Sequence, residues 1–330
     1  MTRSPLVGVL LPRDIPIHHL VPYAQKAEAL GFDELWVVED CFFRGGIAQA
    51  AAVLASTTRI VVGIGILPAG ARNPVFTSLE VATLAELYPG RIVLGIGHGM
   101  PVWMKQVGAA VASPLTVLAE QLATIRAILR GENVSVDGRY VKLDGVELEA
   151  APRIAPPVLA GVRGPKSLAV SGEHADGTIL AEPVTPEYIT AALAHISVGV
   201  ERATATQVHQ PAPVHQVVAY NVAAIDDDPD VARALARPAL EWIGESDWTP
   251  HIAPLAFAAE LAALRERSAS RQDFVSAMPD EWVDQLALVG TPDRVRARIA
   301  ELGAAGATSV VLTPADPDPM AALDSFARIL

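Results

Sequence analysis

The 330-residue chain contains a single cysteine, Cys41. One thiol cannot close an intrachain disulfide or build a cysteine metal cluster, so the expected setting is reducing and cytoplasmic. Apolar runs are short, and none reaches the 18 uncharged residues that would read as a membrane span. The opening stretch MTRSPLVGVLLPRD is broken by Pro12, Arg13 and Asp14, and it lacks the apolar core and small-residue cleavage site of a secretory leader. Basic charge is in deficit, with 25 Lys and Arg against 37 Asp and Glu and a net charge of −12. That argues against nucleic acid or an acidic membrane as a partner. HExxH, GxSxG and GxxxxGK[ST] are all missing, which removes support for a metal site, a serine hydrolase elbow and a P-loop NTPase.

What is abundant is apolar. Hydrophobic residues make up 51% of the chain and charged residues 19%, enough to bury a large core without disordered tracts. Short apolar runs at 6–11, 35–38, 60–67, 92–96, 157–160, 177–180, 214–224 and 309–313 read as strands buried on both faces. Helical spacing separates them: 20–30, 47–56, 74–87, 114–129, 165–173, 186–196, 229–242 and 292–302, with a terminal helix over 320–330. Strands alternating with helices make a parallel sheet, and eight such units in this length predict an α/β (β/α)8 TIM barrel. An open doubly wound sheet with a second domain is the competing architecture. No Gly/Ser-rich or charge-rich linker divides residues 1–330, so one domain is expected. Two departures from the rhythm stand out. Residues 134–149 carry two Asp-Gly turns and predict a β-excursion. Residues 245–280 predict a helical insertion near the barrel mouth.

In such a barrel, chemistry gathers at the carboxyl ends of the strands. Glu39 and Asp40 follow the second strand. They are either solvated loop charges or a pair in which one carboxyl is raised for proton transfer. Cys41 reads as a packing residue. Gly65-Ile66 lies in a glycine-interrupted third strand, where glycine marks a bulge or a close approach. The fourth strand ends Gly97-His98-Gly99-Met100. It is not a dinucleotide fingerprint, because the spacing is wrong and no helix is expected directly after it. His98 is either a cofactor hydrogen-bond partner or a packed ring. Gly161-Val162-Arg163-Gly164-Pro165-Lys166 follows the fifth strand, with proline at the first helical position. Free amides at a helix start beside two cations suit a phosphate; an ordinary loop is the alternative.

Five stretches together resemble the luciferase-like flavin and deazaflavin oxidoreductase superfamily: AEALGFDELWVVED (27–40), TRIVVGIGILPAGARNPVFTSLEVATLAEL (58–87), PGRIVLGIGHG (89–99), PPVLAGVRGPKSLAVSGEHADGTIL (156–180) and VGTPDRVRARIAELGAAGATSVVL (289–312). They are most similar to its deazaflavin-dependent members of the methylenetetrahydromethanopterin reductase type. The resemblance implies a bacterial luciferase-like barrel that moves hydride between coenzyme F420, an 8-hydroxy-5-deazaflavin, and a small organic substrate. FMN and a monooxygenase activity are the alternative, and a barrel that binds the cofactor without catalysis is a third. It implies a non-proline cis peptide at Gly65-Ile66 behind the ring, with Gly97, His98 and Gly99 lining it and Glu39 and Asp40 beside it. It places the cofactor phosphate on Gly161, Val162, Arg163, Gly164, Pro165 and Lys166, and it implies a homodimer. Two departures bear on the chemistry. Asp40 stands where many relatives carry histidine, and Met100 stands where some carry a catalytic acid, which leaves Glu39, Asp40 and His98 as candidates to carry a proton.

Overall fold

A computed structural model describes residues 4–206 and 214–330. Eight parallel strands close on themselves. They are β1 (Leu6–Leu10), β2 (Glu34–Val37), β3 (Val61–Pro68), β4 (Ile92–Gly97), β5 (Val158–Gly161), β6 (Gly177–Leu180), β7 (Gln216–Ile225) and β8 (Ser309–Pro314). Each pairs with the next, β6 pairs with β7, and β8 returns to β1 with Leu6 opposite Ser309. The result is the closed (β/α)8 barrel, and the open-sheet alternative is excluded. The strands are almost wholly buried because both faces are covered, which is why they read as uniform apolar runs.

Crossover helices wrap the outside, beginning with α1 (Leu20–Leu30) and α2 (Gly46–Ser56), and the starts of those that follow reflect local chemistry. Proline opens α3 (Pro74–Leu87), α4 (Pro114–Leu129), α5 (Pro165–His174), α6 (Pro186–Thr206), α7 (Pro229–Ala236), α8 (Pro292–Ala305) and α9 (Pro319–Ala327). Asn73, Asp228, Thr291 and Asp318 accept from the first-turn amides of α3, α7, α8 and α9. The barrel interior is a separate cluster of Trp36, Val93, Leu159, Ile179, Val218, Tyr220 and Val311. One carboxyl lies inside it: Glu34 accepts from Trp36 Nε1 at 2.8 Å and from Ser309 Oγ at 2.5 Å.

The structure differs from the sequence expectation at four places. The helix expected to end at residue 196 runs to Thr206. Gly199 does not stop it; a side chain there would meet the Ala169 carbonyl at 1.9 Å, so glycine lets α6 lie directly on α5. The helix expected over 229–242 ends at Ala236 and continues as a 3-10 turn, Arg237–Leu240. Pro238 supplies no N–H and clashes with a preceding carbonyl, so the α-helix cannot continue. A short helix, Pro101–Gln106, does follow His98-Gly99-Met100 directly. An additional three-residue strand, Leu288–Gly290, pairs outside β7. Strands Val134–Asp137 and Lys142–Val146 form an antiparallel two-stranded sheet apart from the barrel. Several short helices between Ser246 and Leu286 pack around a second apolar cluster that includes Leu240, Leu261, Phe274 and Val283.

Candidate active site

The mouth is built at the carboxyl ends of β2 to β6. At its centre β3 slips register against β4 between Ile64 and Leu67, and the Gly65–Ile66 peptide is cis. The side chain of Ile66 settles into a notch on the neighbouring strands. A Cβ on Gly161 would lie 2.4 Å from Ile66 Cγ2, and one on Gly97 would lie 2.7 Å from the Gly161 carbonyl and 3.0 Å from Ile66 Cγ1. These glycines make room for Ile66, and it is the bulge that forms the floor. Directly below, Tyr220 reaches from β7 so closely that a Cβ on Gly65 would sit 2.3 Å from its hydroxyl. That hydroxyl is buried and has no hydrogen-bond partner. Burial raises its pKa above the ordinary value of 10.

The two carboxylates after β2 are both committed. Glu39 forms a two-pronged ion pair with Arg72 and accepts from the Gly46 amide at 2.8 Å, capping the helix Gly46–Ser56. Asp40 pairs with Arg13 at 2.8 Å. Both carboxylates are thus held in ion pairs rather than free. Cys41 follows at a cis Cys41–Phe42 peptide, and the neighbouring carboxylates and partial burial raise its thiol pKa, burial contributing most.

His98 leaves β4 and meets Ser167 Oγ of α5 at 2.9 Å. Burial lowers its pKa below 6.5, with the Pro114 carbonyl opposing the effect, so the ring is neutral at pH 7. Gly99 turns the chain with φ +69° against Met104 and Pro68. Around α5, Val162 is buried, Pro165 and Lys166 are exposed, and Gly164 faces space in which a Cβ would meet nothing within 4 Å. No side chain caps this helix, in contrast to the capped starts of α3, α7, α8 and α9. Arg163 is the exception to the expected cradle. Its guanidinium donates to the Asp247 carbonyl at 3.2 Å and lies 4.9 Å above the Trp248 ring, drawn towards the insertion. The open amides and Lys166 remain available to an anion.

Sequence reasoning missed three groups at this mouth. Ser167 carried no signal beyond its place after Lys166. Glu182 follows β6 and precedes Pro183 through a cis bond. Trp248 and His251 belong to the insertion yet hold this strand end. Trp248 Nε1 donates to the Glu182 carbonyl at 3.1 Å, and His251 Nδ1 lies 3.1 Å from the Pro183 carbonyl. Among the described residues, no group of three or more His, Cys, Asp or Glu could hold a metal, and no helix is long and apolar enough to cross a membrane.

A closed parallel barrel with a bulged third strand and an uncapped helix start beside it is the architecture of this site. Residues 5–309 match the luciferase-like monooxygenase family, and the chain belongs to that family. Relatives include the 5,10-methylenetetrahydromethanopterin reductase of Methanolobus tindarius, 31% identical over 91% of each chain. The F420-dependent glucose-6-phosphate dehydrogenase of Beutenbergia cavernae is 30% identical over 83% of each. Among solved structures, the coenzyme F420-dependent tetrahydromethanopterin reductase of Methanopyrus kandleri superposes with a TM-score of 0.81 at 22% identity, covering 99% of both chains.

Proposed function

We propose that the chain transfers hydride between coenzyme F420 and a small organic substrate. The relatives just described carry this reading, because two separate F420-linked activities align across most of the chain. The residues present fit such a cofactor. The bulge at Gly65-Ile66 offers a flat floor backed by an orphaned Tyr220 hydroxyl, and the α5 start offers free amides with open space at Gly164. Gly65, Ile66, His98 and Gly99 would flank the ring. Gly161, Val162, Gly164, Pro165 and Lys166 would hold the phosphate, with Arg163 adding positive potential from its tether. Glu39 and Asp40 would serve as fixed walls, with Gly97 supporting Ile66. When bound, a deazaflavin supplies a two-electron hydride donor or acceptor that reacts poorly with oxygen. The chain's own part is to orient it, exclude water and manage the proton.

A second reading, FMN and a monooxygenase activity, is favoured by the family's own description and by a fold shared with an FMN-bound Baeyer–Villiger monooxygenase at a TM-score of 0.72. Titration of the purified protein with each cofactor, followed by fluorescence and absorbance, separates the two. Saturable binding of F420 with weak FMN binding supports the first reading. The reverse selects the second, and binding of neither removes both. The same reading carries a homodimer. Exposed Phe76, Leu79 and Leu87 share one face of α3, and light scattering after size exclusion reports the state.

A further inference from the structure

The mouth contains one carboxyl that the arrangement above leaves without work. Glu182 stands at the carboxyl end of β6, one residue beyond Ala181, on the rim where substrate must approach. The other carboxylates after β2 are ion-paired to Arg72 and Arg13. No cation lies within 4.0 Å of Glu182 among the described residues, and no side chain donates to it. Its side chain is half-buried at the strand end. Its backbone is fixed at every point: Trp248 holds its carbonyl, His251 holds the carbonyl of Pro183, and Asn221 grips Val184 N and O at 2.9 and 3.0 Å. A rigid backbone carrying an unpaired acid at a strand end is a poor stabilising device, since an unpaired buried charge is costly. It is a serviceable proton carrier.

We propose that Glu182 is the catalytic acid and base of this enzyme, exchanging a proton with the heteroatom of the substrate while hydride moves at the adjacent carbon. The inference rests on the hydride-transfer reading. In the reducing direction, a carbonyl or imine carbon gains hydride from the reduced deazaflavin, the C=X double bond opens, and X takes the proton of the Glu182 carboxyl, leaving carboxylate. In the oxidising direction the C–H bond gives hydride to the oxidised deazaflavin, and the X–H proton passes to the Glu182 carboxylate. Charges and electrons balance in both. The groups facing Glu182 agree with this role. Burial dominates and raises its pKa; Asp40 adds to the rise, while its own amide, Arg163 and Arg13 oppose it. Tyr220 of β7 and His251, which holds the neighbouring Pro183 carbonyl, are both neutral at pH 7. Such an acid replaces the one that Met100 cannot supply.

The test uses carbodiimide with glycine ethyl ester, which modifies protonated carboxyls, and peptide mapping of the intact apoprotein across pH. Glu182 is expected to label at pH 7, where ordinary carboxylates are nearly inert, and to be protected by added F420. Glu182→Gln is expected to bind F420 within about threefold of the wild type and, with any alcohol or carbonyl that the wild type turns over, to lose about 10²- to 10⁴-fold in kcat. Glu182→Ala should regain part of that rate with added formate, which a structural role would not show. An ordinary pH profile of labelling, labelling that F420 does not block, or no response of Glu182→Ala to formate overturns the proposal. The labelling arm decides even if no substrate is found. A wild type that fails to bind F420 overturns the hydride-transfer reading instead, so the two failures are distinguishable.

Discussion

The bulge floor makes a quantitative demand on Gly161. An added methyl there would sit 2.4 Å from Ile66 Cγ2, whereas carbon atoms pack at about 3.5 Å or more. Relief requires about 1 Å of movement in a strand fixed on both sides. Gly161→Ala should therefore cost about 1–3 kcal/mol, the range for overpacking. Ile66→Ala removes the offending methyl and on its own costs the burial of a half-buried side chain, about 1–2 kcal/mol. In the double variant the clash is absent, so the two costs should fail to add by about 1–2 kcal/mol. Gly164→Ala, placed where nothing lies within 4 Å, should cost less than about 1 kcal/mol, mostly as a poorer helix cap. Urea unfolding of the four proteins, followed by circular dichroism, gives the cycle. F420 titration of the same set should show Gly161→Ala weakened and the double variant recovered. Additivity within about 0.5 kcal/mol would refute the claim that Ile66 occupies the glycine notch.

Three further outcomes follow from the same contacts. His251 is buried with its pKa lowered to about 3, against an unfolded value of about 6.5, so the native chain resists a proton that the unfolded chain accepts. Stability should fall as pH drops from 6.5 towards 3, by up to about 1.4 kcal/mol per unit from this group, and a flatter melting-temperature profile in His251→Gln would confirm it. Lys166→Ala should weaken F420 binding about tenfold, the equivalent of one charged contact, with the difference shrinking at high salt and melting unchanged. Asn221→Ala removes two buried hydrogen bonds to Val184 and should cost about 2–4 kcal/mol, read as a lower urea midpoint.

Strands were legible because a barrel strand is apolar on both faces, and helix starts because proline at the first helical position is a strong local mark. The third-strand bulge and the α5 start were legible for the same reason: glycine and proline constrain the backbone wherever they stand. What remained hidden depends on partners distant in the chain. Arg72 and Arg13 neutralise Glu39 and Asp40 from other loops, and no spacing announces that. Arg163 reads as a phosphate ligand until Asp247 and Trp248 arrive from 84 and more residues away. Glu182 reads as one carboxylate among many, because only folding removes its counter-ions. Gly199 acts as a contact, and the sequence does not say which helix lies against it.

The insertion does more than lengthen the chain between the seventh and eighth strands. Asp247, Trp248 and His251 reach across to the ends of the fifth and sixth, grasping Arg163, Glu182 and Pro183 at once. A remodelled insertion would therefore disturb the loop before α5 and the end of β6 together. Swapping this segment between relatives to change substrate choice should also alter cofactor affinity, unless those three grips are carried over.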